Sequence, residues 1–441
     1  MMIPFLLTKK SLKRNYIHIA VTVVITAQKL MMGSVGRLGE FLEGVSTELD
    51  RCMQFWMEHS HDDKYGGFIN CLGRDGKPFD SLKYCWIQGR QVWTYSKLYN
   101  EVERFRKPEI LQAAIQGAEF IMKHMKVAGT GKCYMILTRE GKPLKIQRTI
   151  FSECFYTMAL SELAKATGNQ DYLVEAEMTF KKIIYWVQTD DNELGRPKYH
   201  SSIVMNTLAI PMMLLCLFNQ MESVAENQLK SQHSELLDWC IEQISKHVQR
   251  DGSVILENVS PSGEELEGVI GRHMNPGHAI EAGWFMLQQA SKLKREDLRN
   301  LAIEKFILNP FNYGWDEKYG GLFYFMDADQ LLDPELTSTH LEWNMKLWWP
   351  HSEAMVALLM AYKETKETVY LDKFQQTYDY CWEHFVDPKY GEWYGYCTRN
   401  GDVSMPHKGT QWKGCFHIPR SLLMCEQMLK EILKEQTNSN K

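Results

Sequence analysis

The sequence of 441 residues predicts an all-α fold, a toroid of about six helical hairpins with short β-hairpins between the helices. Three observations support this prediction: long segments with helical apolar periodicity, two short motifs that recur along the chain, and no alternating strand–helix rhythm. Hydrophobic residues make up 44% and charged residues 24%, as in ordinary globular proteins. A chain of this size can bury a large core.

Apolar residues recur at every third or fourth position in many segments, as they do on one face of an amphipathic helix. Extended alternating runs are short, such as Lys132–Leu137 and Leu322–Met326, and indicate small hairpins. The helical segments are Leu38–Glu58, Ile110–Met125, Cys154–Ala166, Tyr172–Val187, Leu236–Val248, His278–Ala290, His351–Tyr362 and Tyr370–Phe385, with further helix to Leu433.

The two recurring motifs set the length of the repeat. Asp-x-Lys-Tyr-Gly begins at Asp62, Asp316 and Asp387. An arginine followed by Asp, Glu or Asn and then Gly, a hairpin-turn signal, occurs at Arg74, Arg139, Arg250 and Arg399. Intervals of about 65 to 70 residues fit one helix, a hairpin loop and a second helix. A closed toroid would bring the aromatic-rich loops to one mouth, and the alternative is an open α-solenoid.

The chain shows no linker rich in Pro, Gly or Ser, so we expect a single domain over residues 35–433. Residues 1–34 are expected to be a non-essential or disordered extension. Their basic residues and the apolar run Ile17–Ala27 resemble a signal peptide, but the run is shorter than the ~20 residues that span a bilayer. Residues 434–441 are expected to be a frayed tail.

Charge and cysteine usage exclude several classes of protein. A net charge of −5 gives no electrostatic reason for nucleic-acid binding. The 11 cysteines are scattered, without a Cys-x-x-Cys pair, which argues against a disulfide framework or a zinc cluster. We therefore expect reduced thiols, a cytoplasmic protein and no membrane association.

His278 is the first candidate for acid–base chemistry. It follows the turn Asn275–Gly277, which predicts a helix start, and Glu281 lies one turn further on the same face, where it can orient the imidazole. Because a helix N-terminus disfavours positive charge, we expect the neutral, basic form of His278. The alternative is a histidine that only caps the helix. A second His-x-x-Glu pair is absent from the sequence, so we expect no metal site.

His417 is the second candidate. It comes just before Pro419, a residue favoured in the first helical turn, so it too should lie at a helix start. Arg420 follows three residues later and would point the same way. The alternative is a core histidine, although two histidines at two helix starts are harder to explain by packing than one.

Three further residues complete the candidate set. Trp349 and Glu353 belong to a segment that begins another helix, where Glu353 either serves the site or only complements the helix dipole. Arg90 stands among the aromatic residues of Tyr84–Trp93, where a guanidinium can hold an anion or a polarised oxygen. A ring such as Trp349 either packs in the core or stacks on a sugar, and we assign it to substrate binding.

The chain resembles the N-acylglucosamine 2-epimerase family. The motifs that carry the resemblance follow one another from about residue 50 to residue 430 and cover the chain except for its first thirty-odd residues. They are YGGFINCLGRDGKPFDSLKYCWIQGRQVW, QRTIFSECFYTMAL, NPGHAIEAGWFML, GGLFYFMDAD, LEWNMKLWWPHSEAM, YGEWYGY and KGCFHIPR.

The resemblance implies an (α/α)6 barrel, a homodimer, and interconversion of N-acetyl-D-glucosamine and N-acetyl-D-mannosamine in amino-sugar and sialic acid metabolism. The two acid/base histidines of the family fall on His278 and His417. Its supporting polar residues fall on Arg90, Glu281, Glu353 and Arg420. The reaction removes the C2 proton of the open-chain sugar on one face and returns a proton on the other, which two histidines can do near neutral pH.

The resemblance also implies regulators and partners. It implies that no cofactor is consumed and that ATP or another nucleotide activates the enzyme, although the sequence has no P-loop to place that site. Renin binding through a leucine heptad is implied as well. The comparable stretch, Leu194–Leu217, contains Pro197 and Pro211 and lacks a clean heptad, which argues against a zipper.

Three alternative functions remain open at this point. An aldose–ketose isomerase or a cellobiose 2-epimerase of the same superfamily would carry a third histidine, which the stretch Asn206–Ile210 lacks. A glycoside hydrolase would need two carboxylates on either side of the scissile bond, whereas Glu281 and Glu353 come with histidines. A renin-binding inhibitor without activity would not need the histidine pair.

Overall fold

The computed structural model describes residues 36–146, 149–194, 204–224, 234–330 and 342–439. Within these ranges the chain forms twelve long helices, numbered here in chain order. They are α1 (36–59), α2 (Cys85–Glu101), α3 (Pro108–His124), α4 (Phe151–Thr167), α5 (Gln170–Gln188), α6 (Ala209–Val224), α7 (Ser234–Ser245), α8 (Pro276–Leu293), α9 (Glu296–Asn300 continuing through Leu301–Leu308 and Asn309–Gly314), α10 (Trp348–Thr365), α11 (Thr368–His384) and α12 (His417–Ser439).

The helices form two concentric layers. The even-numbered helices are buried on most of their surface, as in α10, where every residue from Trp348 to Tyr362 is buried. The odd-numbered helices bury one face and expose the other, as the periodicity predicts. Contacts run from α2 through α4, α6, α8 and α10 to α12, and α12 contacts α2 again. The ring is therefore closed, so the predicted barrel is confirmed and the open solenoid is wrong.

Short antiparallel strands occupy the loops at one end of the barrel. The strands β3, β6, β10 and β12 lead into α2, α6, α8 and α10, so the N-terminal ends of the inner helices face the same mouth. The strands are β1 (Cys71–Leu72), β2 (Pro78–Asp80), β3 (Lys83–Tyr84), β4 (Tyr134–Leu137), β5 (Pro143–Ile146), β6 (Asn206–Thr207), β7 (Val248–Gln249), β8 (Val254–Ile255), β9 (Asn258–Val259), β10 (His273–Met274), β11 (Met326–Asp327), β12 (Lys346–Leu347), β13 (Tyr396–Cys397) and β14 (Val403–Met405).

Three pairs of the recurring motifs meet in ion clusters, which we call the clasps and in which the aspartate and the lysine are buried. In each clasp the aspartate of an Asp-x-Lys-Tyr-Gly motif binds one lysine and one arginine. The arginine belongs to the hairpin-turn motif of the next repeat around the ring. The clasps are Asp62 with Lys83 and Arg139 (2.9 and 3.0 Å), Asp316 with Lys346 and Arg399 (3.1 and 2.8 Å), and Asp387 with Lys408 and Arg74 (3.1 and 2.8 Å).

The clasps hold neighbouring repeats together, and the clasp of Arg74 with Asp387 joins the first repeat to the last. The sequence predicts these arginines only as turn markers and does not predict their partners. Burial opposes ionisation of Asp62, but bonds from Arg139 and Lys83 outweigh it and lower the pKa of Asp62 to about 2. The carboxylate is therefore ionised, as its role between two cations requires.

One hydrophobic core extends around the ring, from Leu38 in α1 to Ile432 in α12. All 11 cysteines are buried and carry free thiols. Among the described helices, none combines the length and the apolar character needed to cross a bilayer.

The chain departs from the predicted boundaries at its C-terminus. Helix α12 continues to Ser439, so residues 434–439 are helical in the structure, while the expected frayed tail over residues 434–441 stays a prediction. An ion pair of 2.6 Å between Lys366 and Glu435 stabilises this last part of the helix. The expected extension, residues 1–34, lies outside the described residues, and the single-domain boundaries stay a prediction.

Candidate active site

The N-terminal ends of the inner helices surround a cavity of about 580 Å³ at the mouth of the barrel. All seven candidate residues meet here, six of them on the cavity wall and Glu353 directly behind it. The wall also includes apolar and aromatic side chains from α2, α4, α6 and the loops: Trp86, Phe151, Phe155, Met212, Met213, Tyr324, Tyr396 and Trp412.

His417 is the first residue of α12 and is held by a carboxylate of α10. Its Nδ1 lies 2.7 Å from Oε1 of Glu353, so in the neutral ring the hydrogen is on Nδ1 and the lone pair on Nε2. Burial, reinforced by the charges of Arg90 and Arg420, holds the pKa of His417 well below its usual range. His417 is thus a neutral imidazole suited to accept a proton.

His278 lies in the first turn of α8 and has a different partner from the expected one. Its Nδ1 lies 3.0 and 3.1 Å from the two oxygens of Glu257, while Glu281 bonds Arg420 instead. Burial disfavours the charged ring, but the carboxylates of Glu257 and Glu281 outweigh burial and raise the pKa of His278. The helix N-terminus alone predicts a lowered pKa for His278, and the two carboxylates reverse that direction.

Arg420 links the carboxylates beneath the cavity. Its Nη2 donates to Oε1 of Glu281 (2.8 Å) and to Oε1 of Glu353 (2.6 Å). Possible metal-ligand atoms of Glu281, Glu353 and His417 lie within 4.8 Å of one another. The guanidinium of Arg420 supplies positive charge between the two carboxylates. The close approach of Glu281, Glu353 and His417 is therefore accounted for by hydrogen bonds and ion pairs with Arg420.

Arg90 is a partly buried cation with different surroundings. It lies between the rings of Phe155 and Phe416, 4.3 and 5.0 Å from their centroids, and Nη1 donates to the carbonyl of Trp412 at 3.5 Å. Within the described ranges, it forms no ion pair with a carboxylate. Burial lowers its pKa to about 10, which leaves it charged at neutral pH. Arg90 can therefore stabilise negative charge that develops in the cavity.

Trp349 lies beside both histidines. Its ring centroid is 5.1 Å from that of His278 and 6.0 Å from that of His417. A Cβ atom at Gly277 would come within 2.7 Å of the Trp349 ring, so glycine is required where α8 approaches α10. The indole therefore packs against both imidazoles on one side of the cavity.

Sequence reasoning missed Glu257. This residue follows the apolar run Val254–Leu256 and is itself buried. A carboxylate at the end of an apolar run is a weak signal for a buried partner, since a buried acid must be paired. Nothing in the local sequence shows that His278 is that partner.

Known proteins resemble this chain over most of its length. The model of the N-acylglucosamine 2-epimerase family matches residues 67–419. The N-acylglucosamine 2-epimerase of Mus musculus is 53% identical over 391 residues, 88% of this chain and 92% of that protein. The one of Homo sapiens is 52% identical over 392 residues, 89% and 90% of the two chains.

A solved structure shares the fold. The cellobiose 2-epimerase from Spirochaeta thermophila superposes with a TM-score of 0.74 at 20% identity, covering 90% of this chain and 98% of that one. Identity this low supports the barrel alone, whereas the family match spans most of the chain. The chain therefore belongs to the N-acylglucosamine 2-epimerase family and is an isomerase of the epimerase class.

Proposed function

We propose that the protein interconverts N-acetyl-D-glucosamine and N-acetyl-D-mannosamine by moving a proton at C2 of the open-chain sugar. The observation that carries the proposal is the pair of imidazoles in one cavity, with the pKa of His417 lowered and that of His278 raised. One histidine starts as a base and the other as an acid. Inversion at C2 needs both, because a proton leaves one face of the carbon and another arrives on the opposite face.

In one direction, neutral His417 removes the C2 proton, which is acidic because C2 adjoins the aldehyde carbonyl. Charged His278 then gives a proton to the opposite face of C2, and in the reverse reaction the roles exchange. Negative charge builds on the carbonyl oxygen in between, and Arg90 is the cation placed to stabilise it. Each acid–base step is worth roughly 10²- to 10⁴-fold in rate.

The carboxylates argue against glycoside hydrolysis. A hydrolase needs one carboxyl group that holds a proton for the leaving oxygen. Glu281 and Glu353 both accept from the same Arg420 nitrogen, so one guanidinium holds both carboxyl groups in place beneath the cavity. Both residues therefore suit positioning better than proton donation.

We also propose, from family membership, a protein that consumes no cofactor, is activated by ATP or another nucleotide, forms a homodimer and acts in the cytoplasm in amino-sugar and sialic acid metabolism. Renin is proposed as a partner from family membership alone.

Three leucines of the stretch compared with a leucine heptad, Leu214, Leu215 and Leu217, are buried in α6. They are therefore not available to a zipper in the folded chain. Pro197 lies outside the described residues.

The test is proton NMR of C2 in D2O, starting from each epimer. We expect the parent protein to form the other epimer with solvent deuterium at C2. His278→Ala and His417→Ala should each reduce epimerisation about 10²- to 10⁴-fold. His407→Ala, a histidine stacked on Phe79 and absent from the cavity wall, is the matched control and should keep full activity. A parent protein that neither epimerises nor exchanges C2 would refute the proposal.

A further inference from the structure

We propose that Glu257 is a positioning residue that decides which of the two histidines carries the catalytic proton before substrate binds. The inference rests on the proposed function and concerns the same cavity. Glu257 itself is absent from the cavity wall and acts through Nδ1 of His278.

The carboxylate of Glu257 is fixed from several directions. Its two oxygens lie 3.0 and 3.1 Å from Nδ1 of His278, and the side chain is buried. The backbone N–H of Glu257 donates to the carbonyl of His273 at 2.8 Å, and its carbonyl accepts from the N–H of Leu208 at 2.9 Å. The loop between β8 and β9 is thus tied to β10 and to the start of α6, and the carboxylate has little freedom to move away from His278.

His417 also has a carboxylate at Nδ1, but that carboxylate is shared. Oε1 of Glu353 accepts from Arg420 at 2.6 Å and lies 2.7 Å from His417, so much of its charge is offset by the guanidinium. The imidazoles of His247, His273 and His278 lower the pKa of Glu257, and the charge of Glu257 in turn raises the pKa of the Tyr324 phenol.

Among the remaining charges, Glu281 favours a proton on both histidines, but at His417 burial and the two arginines, Arg90 and Arg420, outweigh it. His247 is buried, with Nδ1 2.7 Å from the carbonyl of Leu256, and burial lowers its pKa, so it adds little charge beside Glu257. The single proton of the active protein is therefore expected on His278, and Glu257 is the largest favourable cause.

This arrangement makes a specific prediction about pH. The active protein holds one proton on the two histidines, whichever epimer is the substrate. Removing the charge of Glu257 weakens proton binding at His278, so this proton is lost at lower pH. The alkaline limb of kcat/KM should therefore move toward acid by the same amount in both directions, because both directions use the same protonation count.

The experiment compares Glu257→Gln with the parent protein. The control is Glu264→Gln, because Glu264 is an exposed glutamate of the same loop region. We expect the alkaline limb of Glu257→Gln to move by about one pH unit or more toward acid, as removal of a close opposite charge does. Glu257→Asp keeps the charge one methylene further away and should move the limb less, in the same direction. A limb that stays in place while the rate falls equally at all pH values would show a merely structural role and overturn the proposal.

A second measurement separates this inference from the proposed function. NMR titration of the His278 imidazole, in the parent and in both Glu257 variants, needs no turnover. A lower pKa of His278 in Glu257→Gln supports the inference even if neither amino sugar is epimerised, and an unchanged pKa overturns it. If Glu257→Gln does not fold, Glu257→Asp decides by the same titration.

Discussion

The protein buries carboxylates beside cations in two kinds of place, the clasps and the cavity, and the charges are balanced differently in each. In a clasp both oxygens of the aspartate are bonded to cations, as Asp62 is by Lys83 and Arg139. At the cavity, Arg90 has no carboxylate bonded to it within the described ranges, and each histidine has only Nδ1 in contact with a carboxylate. Charge that is fully paired holds the repeats together, while charge left incompletely paired is available to a substrate.

The largest change is expected at Arg420, which pairs with buried carboxylates, as the cations of the clasps do, and also lies beside His417 at the cavity. Arg420→Leu leaves Glu281 and Glu353 buried together without a cation, which should cost about 3–5 kcal/mol of folding free energy. It should also raise the pKa of His417, since one repelling charge is gone. Chemical denaturation and the acid limb of kcat/KM test both expectations. Unchanged stability would show that the ion pairs of Arg420 with these carboxylates contribute nothing net to folding.

Arg90→Met should affect activity and not stability. The guanidinium is buried against aromatic rings without a bonded carboxylate in the described ranges, so an apolar side chain of similar length should fit at little cost or with a small gain in stability. The rate should fall about 10²- to 10³-fold, as after loss of a group that stabilises an oxyanion. The kcat and the denaturation midpoint should be measured on the same sample. Loss of stability with activity retained would place Arg90 among the structural cations.

Asp62→Asn should affect stability and not the chemical step. The change leaves Lys83 buried without its carboxylate and should cost about 3 kcal/mol near pH 7. The pKa of Asp62 in the folded chain is about 2, below its usual value, so its contribution is present above pH ~4 and disappears as pH falls toward 2. Denaturation curves of variant and parent should therefore converge in acid. Asp63→Asn, at the exposed neighbouring position, is the control and should show no such difference.

The sequence predicts the barrel well because its signals are local. Periodicity marks the helices, and the spacing of the motifs gives the repeat. Ring closure depends on contacts such as Arg74 with Asp387, which lie far apart in the chain and have no local signature. The lysines of the clasps did leave a signal, since Lys83 and Lys346 each precede a tryptophan-containing start of an inner helix.

The candidate residues were found because of their residue types at helix starts and because of the family motifs. Their protonation was harder to predict. A helix N-terminus lowers the pKa of a histidine placed there, but the carboxylates of Glu257 and Glu281 raise the pKa of His278. Glu257 lies on another element, so its distance to His278 depends on how the β8–β9 loop folds back. The opposite pKa shifts of the two histidines therefore depend on tertiary structure.

The two ends of the described chain rest on one helix. Arg37 donates to Gln375 in α11 at 3.0 Å, and Glu435 pairs with Lys366 just before α11 at 2.6 Å. Gln375 lies in the third turn of α11 and Lys366 two residues before the helix, so the two contact points are on the order of 13 Å apart and a short peptide could join these ends. The chain could then be opened elsewhere, for example at the exposed turn Gly129–Thr130, and still form the same closed set of contacts. The barrel is thus a cyclic arrangement that tolerates circular permutation in principle, because no repeat is structurally first.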